Sequence, residues 1–91
     1  RMKHSPSFLQ KFKGLPMRVL VFGATGLLGG AVFHVLSEKI DWQVFGTLRT
    51  EESKKLFDTR LYLNLVVGIN VLDQVDLVKV FEQTKPDVVI N

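Results

Sequence analysis

The chain has 91 residues, 46% hydrophobic and 23% charged, with a formal charge of +3 and no cysteine. That length and balance describe one globular domain with a small core and exclude a disordered chain, a disulfide framework and a thiolate metal site. The positive charge is local: Arg1, Lys3, Lys11, Lys13 and Arg18 stand in the first eighteen residues, while the rest carries seven basic and nine acidic residues, which is no footprint for a nucleic acid.

Residues 1–16, "RMKHSPSFLQKFKGLP", hold most of that charge and two of the three prolines. They read as a basic extension, added to the domain or disordered. A sharper reading uses Phe8, Leu9, Phe12 and Leu15, whose spacing makes an apolar helical stripe suited to a membrane surface or a partner. Met17 opens the domain proper, 17–91. Arg18 to Phe22 is a continuous apolar strand. Leu27 to Glu38 has helical spacing, with Leu28, Ala31, Val32, Val35 and Leu36 as its apolar face.

Gln43 to Leu48 is the second strand, and Glu51 to Phe57 a short charged helix. Leu61 to Val67 ends as a third strand before Gly68. Asp73 to Gln83 is a helix capped by Asp73, with Asp76 three residues on in capping-box spacing and Val75, Val78, Val80 and Phe81 facing inward. Pro86 separates it from "DVVIN", a fourth strand apolar on both faces. No apolar run approaches the roughly 20 residues of a membrane span. His4 and His34 are too isolated to build a metal site on.

Repeated strand–helix–strand units imply a parallel sheet, doubly wound, with helices on both faces. The fold class expected is α/β, the first half of a Rossmann-like domain with four strands in the order 3-2-1-4. Into this frame fall the glycines of "VLVFGATGLLGG", between the first strand and the first helix. An open parallel sheet binds ligands there, beyond the carboxyl ends of its strands. Gly23 lets the chain turn out of the strand, Gly26 leaves the backbone bare for a pyrophosphate, and Gly29 lets the helix pack on the strand. The N–H groups from Thr25 through Leu27 and Leu28 lie where a phosphate would sit. The plain alternative is a tight turn with no ligand. A P-loop is excluded, since no Lys-Ser or Lys-Thr follows.

The spacing G-x-x-G-x-x-G in "GATGLLGG" resembles the cofactor fingerprint of extended short-chain dehydrogenases/reductases. "MRVLVFGATGLLGGAVFHVL" followed by "KPDVVIN" is similar to the dTDP-4-dehydrorhamnose reductase group of nucleotide-sugar reductases, over residues 17–91. The resemblance implies a nicotinamide dinucleotide, a nucleotide-sugar substrate in a longer parent, and hydride transfer to a sugar ketone. An acid at the end of the second strand would hold the ribose hydroxyls of NAD. Here "FGTLRTEES" places Arg49 there, with the hydroxyls of Thr47 and Thr50 beside it, so NADP(H) is expected over NAD(H). The alternative for Arg49 is a solvated loop charge.

The family's Asp-Val-x-Asp pattern after the third strand appears as "NVLD". That implies Asn70 and Val71 beside the adenine, with an ordinary turn as the alternative for Asn70. The Tyr-x-x-x-Lys pair that supplies the proton in such reductases is not present: four residues after Tyr62, the only tyrosine, stands Val66. No catalytic residue is assigned, and Tyr62 reads as packing. A non-catalytic regulatory or redox-sensing dinucleotide module, or an epimerase or dehydratase of the same superfamily, stays open beside the reductase. The chain reads as part of a longer protein in a reducing, cytoplasmic setting, with an apolar strand at 88–90 prone to self-association.

Overall fold

Apolar runs that are buried on both faces become parallel strands only when helices cover each side. The computed structural model, which describes residues 16–39 and 41–91, has this arrangement. The elements are β1 (Met17–Val21), α1 (Leu27–Ser37), β2 (Trp42–Leu48), two 3-10 turns (Glu51–Leu56 and Thr59–Asn64), β3 (Leu65–Val67), α2 (Gln74–Thr84) and β4 (Val88–Ile90). All strand pairs are parallel, in the order β3-β2-β1-β4, as the alternation of elements predicts. The basic extension, its apolar stripe included, falls outside the described residues up to position 15.

Register decides which side chains share a face. Val19 lies beside Val44 and Val88, and Gly46 beside Leu65. On one face Val19, Val21, Val44, Leu48 and Leu65 pack with Phe33 and Leu36 of α1 and with Phe57. On the other, Leu20, Phe45 and Val66 pack with Ile69 and with Val80 of α2. Arg18 joins the layers at the far end of the sheet. Its Nε donates to the carbonyl of Thr84 at 2.7 Å, its Nη1 to Gln43 Oε1 at 2.7 Å, and its guanidinium lies over the Phe45 ring.

Both helices bury only part of the face their apolar spacing suggests: Leu36 and Val80 are buried and Val32 half-buried, as expected. In α1 the buried side chains are Phe33 and Leu36, while Leu28 and Val35 are exposed. Gly29 and Gly30 bring the first turn against the backbone of residues 22–24, and the residues one and two turns later follow them inward. An apolar count overlooks glycines as contact residues. In α2 only Val80 and Thr84 are buried; Val75, Val78 and Phe81 are exposed. Asp76 accepts from the Asn70 N–H at 2.9 Å, tying the first turn to the loop after β3. Thr84 sits in the core because its hydroxyl donates back to the Val80 carbonyl at 2.7 Å.

Two segments take the 3-10 form. Residues 51–56 make the short charged helix as a 3-10 turn, with Glu51 paired to Lys54 at 3.1 Å and Glu52 to Lys55 at 3.5 Å. Of the apolar stretch 61–67 only the last three residues are strand. The 3-10 turn before them starts at Asp58, whose side chain accepts from the Arg60 N–H, and ends with Asn64 Nδ2 donating to the Val44 carbonyl at 2.9 Å. That side chain takes a backbone acceptor of β2 at the point where β3 begins. Tyr62 packs, half-buried, against the α1-side core, as read. β4 lies at an edge of the described sheet, as the order 3-2-1-4 places it, with Val89 44% exposed.

Candidate functional site

In a parallel sheet all carboxyl ends lie at one rim, so the loops after β1, β2 and β3 gather there. Gly23 reverses the chain out of β1 at φ +68°, a conformation that L side chains rarely adopt. Its N–H donates to Thr47 Oγ1 at 2.9 Å, and the next N–H, of Ala24, donates to the Thr47 carbonyl at 3.0 Å. The Leu48 carbonyl receives the N–H groups of Gly68 and Ile69, at 2.8 and 3.1 Å. Two adjacent residues of β2 therefore fasten both neighbouring loops.

The helix begins close against this turn. A Cβ at Gly29 would collide with the Gly23 carbonyl oxygen and lie 3.2 Å from that of Phe22. Gly26 is the N-cap, in extended backbone, and a Cβ there would stand 3.3 Å from the Gly23 oxygen. No side chain caps α1, and no acid lies in its first turn. The Gly26 N–H is taken by the Gly23 carbonyl, and the Gly30 N–H by that of Gly26. Among the described residues, no acceptor meets the N–H groups of Thr25, Leu27, Leu28 and Gly29. Leu27 and Leu28, 97% and 75% exposed, stand beside these open donors.

Arg49 follows β2 directly and is exposed. Its guanidinium makes no ion pair among the described residues; the nearest acids in sequence, Glu51 and Glu52, are held by Lys54 and Lys55. Of the two hydroxyls expected beside Arg49, that of Thr47 is taken inward: Thr47 is 2% exposed and accepts from Gly23. Thr50 is exposed, with Oγ1 3.0 Å from Ser53 Oγ, and keeps further hydrogen-bonding capacity beside the cation.

Asn70 is engaged as a turn residue. Its Oδ1 accepts from the Leu72 N–H at 3.0 Å and its carbonyl from the Asp73 N–H at 3.0 Å. A carbonyl oxygen has a second lone pair, so an amino group can still be accepted there. Val71 beside it is exposed. Asp73 caps α2 by accepting from the Val75 N–H at 2.8 Å. The capping box is not closed: Asp76 reaches Asn70 rather than Asp73. His34 is occupied away from this rim, with Nδ1 2.8 Å from the Gly30 carbonyl and its ring stacked on Phe57.

A family model described as the NAD dependent epimerase/dehydratase family matches residues 19–91. Neither a search of curated proteins nor one of solved structures finds a match. No helix among the described residues is long and apolar enough to cross a membrane.

Proposed function

This chain belongs to the NAD dependent epimerase/dehydratase family, and from that premise we propose that it is the NADP(H)-binding portion of an oxidoreductase resembling nucleotide-sugar reductases of the dTDP-4-dehydrorhamnose type. Membership brings a nicotinamide dinucleotide as the cofactor class. The residues present fit such a group. The N–H groups of Thr25, Leu27, Leu28 and Gly29 would hold the pyrophosphate, aided by the partial positive charge of the α1 N-terminus. Gly23 and Gly26 keep side chains out of its approach. Asn70 and Val71 would border the adenine, and Arg49 the phosphate on its ribose. When bound, the cofactor supplies the hydride that a reductase passes to a sugar ketone.

The preference for NADP(H) rests on one observation: Arg49 is exposed at the end of β2, while the acids that follow it are paired with lysines. A planar guanidinium suits a phosphate through fork-shaped bonds. A charge-assisted hydrogen bond contributes roughly 1.5–3 kcal/mol, about ten- to a hundredfold in affinity. Titration of the full-length protein should give NADPH binding at least tenfold tighter than NADH, with a gap that narrows as salt rises. Arg49→Ala should remove most of that gap and leave NADH binding nearly unchanged. Equal affinities in the wild type would make Arg49 an ordinary surface charge.

A second reading is favoured by the family description itself, which names epimerases and dehydratases. The two chemistries differ in cofactor turnover. A reductase consumes one NADPH for each product molecule; an epimerase or dehydratase returns its nicotinamide to the starting redox state. Loss of the reduced nicotinamide absorbance in step with product supports the reductase, and product formed without that loss supports the alternative.

A further inference from the structure

The pyrophosphate loop is held in the core by a single side chain, Ala24, 1% exposed; Gly23, Thr25, Gly26, Leu27 and Leu28 are all exposed. Its first two N–H groups are nevertheless fixed, and both by Thr47. The hydroxyl accepts from Gly23 and the carbonyl from Ala24. Any residue at 47 offers the carbonyl. Only a hydroxyl-bearing or similar side chain offers the second acceptor, at the one residue of the loop that takes positive φ. Thr47 is 2% exposed and lies in register with Val66, inside a strand whose other residues from 44 to 48 are apolar or glycine. A buried hydroxyl in such a place needs a partner, and here its partner is the turn.

We propose that Thr47 is a positioning residue for dinucleotide binding: its side chain holds the Gly23 turn in place so that the open N–H groups of residues 25–29 converge on a pyrophosphate. The inference rests on the cofactor reading given above. It also separates the two ends of the site. Thr47 acts on the loop that meets the pyrophosphate, which NAD(H) and NADP(H) share. Arg49, two residues on, acts on the phosphate that only NADP(H) carries. Loss of the Thr47 hydroxyl should therefore weaken both cofactors by the same factor and leave their ratio unchanged.

Thr47→Val keeps the shape and removes the acceptor; Thr47→Ser keeps the acceptor and removes a methyl group. In the full-length protein, Thr47→Val should bind NADPH and NADH each about five- to tenfold more weakly, with an unaltered ratio, and Thr47→Ser should bind within twofold of wild type. Amide hydrogen exchange without cofactor supplies a second readout. Thr47→Val should exchange faster at Gly23, Ala24 and Gly26, the N–H groups of this loop that are hydrogen-bonded, while β1 and β2 keep their protection, and Thr47→Ser should not. A folded Thr47→Val protein that binds both cofactors within twofold of wild type, with unchanged exchange at Gly23, Ala24 and Gly26, overturns the role of Thr47 and leaves the cofactor reading standing. A wild type that binds neither dinucleotide overturns the cofactor reading and this proposal with it. Should Thr47→Val unfold, the comparison passes to Thr47→Ser and Thr47→Ala: the proposal requires Ser to match wild type and Ala to lose both cofactors equally, and equal binding by Ser and Ala overturns it.

Discussion

The two helices of this domain have the same length, eleven residues, and lie on opposite faces of one sheet. They begin in opposite ways. α2 closes its own N-terminus: Asp73 accepts from Val75, and Asp76 sits in the first turn. α1 starts at a glycine, with neither cap nor acid. Both starts carry the same partial positive charge. In α2 the protein's own carboxylates satisfy it; in α1 it is left for something else. On the reading proposed above, an anion site in such a fold is made as much by withholding a cap as by supplying glycines. The order is reversed in packing. α1 lies tightly against the sheet through Gly29, Phe33 and Leu36, whereas α2 buries only Val80 and Thr84.

The tight packing of α1 gives the largest expected effect. In Gly29→Ala the new methyl group would collide with the Gly23 carbonyl oxygen and lie within 3.2 Å of the Phe22 oxygen. Both are backbone atoms that cannot swing aside, so the helix must lift from the strand. Overpacking of this kind costs about 3 kcal/mol, read as a lowered midpoint in denaturant. On α2, Val75→Ala removes atoms from a side chain already 72% exposed and should stay within about 0.5 kcal/mol. Similar losses at the two positions would mean that α1 is not the more tightly seated helix.

Giving α1 the kind of start that α2 has should come next. Gly26→Asp supplies an N-cap carboxylate in backbone already extended, at φ −68° and ψ 160°. The fold should change by only a few tenths of a kcal/mol, since the neighbouring Gly23 oxygen lies 3.3 Å from the new Cβ and a small shift relieves the contact. Dinucleotide binding should fall at least a hundredfold, about 2.7 kcal/mol, because a negative charge would occupy the site of the pyrophosphate. Retained NADPH affinity in this variant would place the cofactor elsewhere.

The parts of this contrast legible in the sequence are those set by local chemistry. Asp73 as a cap follows from residue type and position, and so does Gly23 as a turn. The parallel order 3-2-1-4 follows from alternation and crossover handedness. The inward faces of both helices follow only in part, at Leu36 and Val80. In α1 the contacts that set the rotation are made by glycine backbone, which adds nothing to an apolar count. In α2 they involve Asp76 and Thr84, polar residues whose partners Asn70 and Val80 are fixed only in the folded chain. Thr47 was hidden for the same reason. Its value comes from a residue 24 positions away. The start of β3 within the stretch 61–67 is set by the 3-10 turn at 59–64, where Asn64 satisfies β2 with its side chain, which no β-propensity records.

Removing the cap of α2 tests the other half of the comparison. Asp73→Ala leaves the Val75 N–H without its acceptor at 2.8 Å and should cost about 1 kcal/mol. In a domain of this size that lowers the melting temperature by roughly 4–8 °C. Binding of either dinucleotide should be unchanged, because this helix start is not the one offered to a ligand. A loss of cofactor affinity beyond the loss of stability would join the α2 start to the site.

The smallest expected effect lies at the other ends of the helices, and its sign differs between them. α2 ends at Lys85, with φ 45° and ψ 60°, the one non-glycine residue of the described chain at positive φ. Its N–H donates to the Phe81 carbonyl at 2.8 Å, so the left-handed turn closes the helix with a bond that any residue can make. A side chain in that conformation is strained by about 1–2 kcal/mol, and glycine removes the strain. Two terms oppose the gain. Glycine makes the unfolded chain more flexible, by roughly 0.4–1 kcal/mol, and the lysine charge near the helix C-terminus contributes about 0.3 kcal/mol. The balance favours Lys85→Gly by about 0.5 kcal/mol. α1 ends at Glu38 in ordinary right-handed backbone, φ −86°. There is no strain there to relieve; removing the carboxylate from the helix C-terminus returns about 0.3 kcal/mol against a flexibility cost of roughly 0.4–1 kcal/mol, so Glu38→Gly should destabilise by a few tenths of a kcal/mol. Thermal unfolding of the two variants side by side should show one midpoint rising and the other falling. Two midpoints falling together would mean that Lys85 contributes more through its charge than it loses through its backbone.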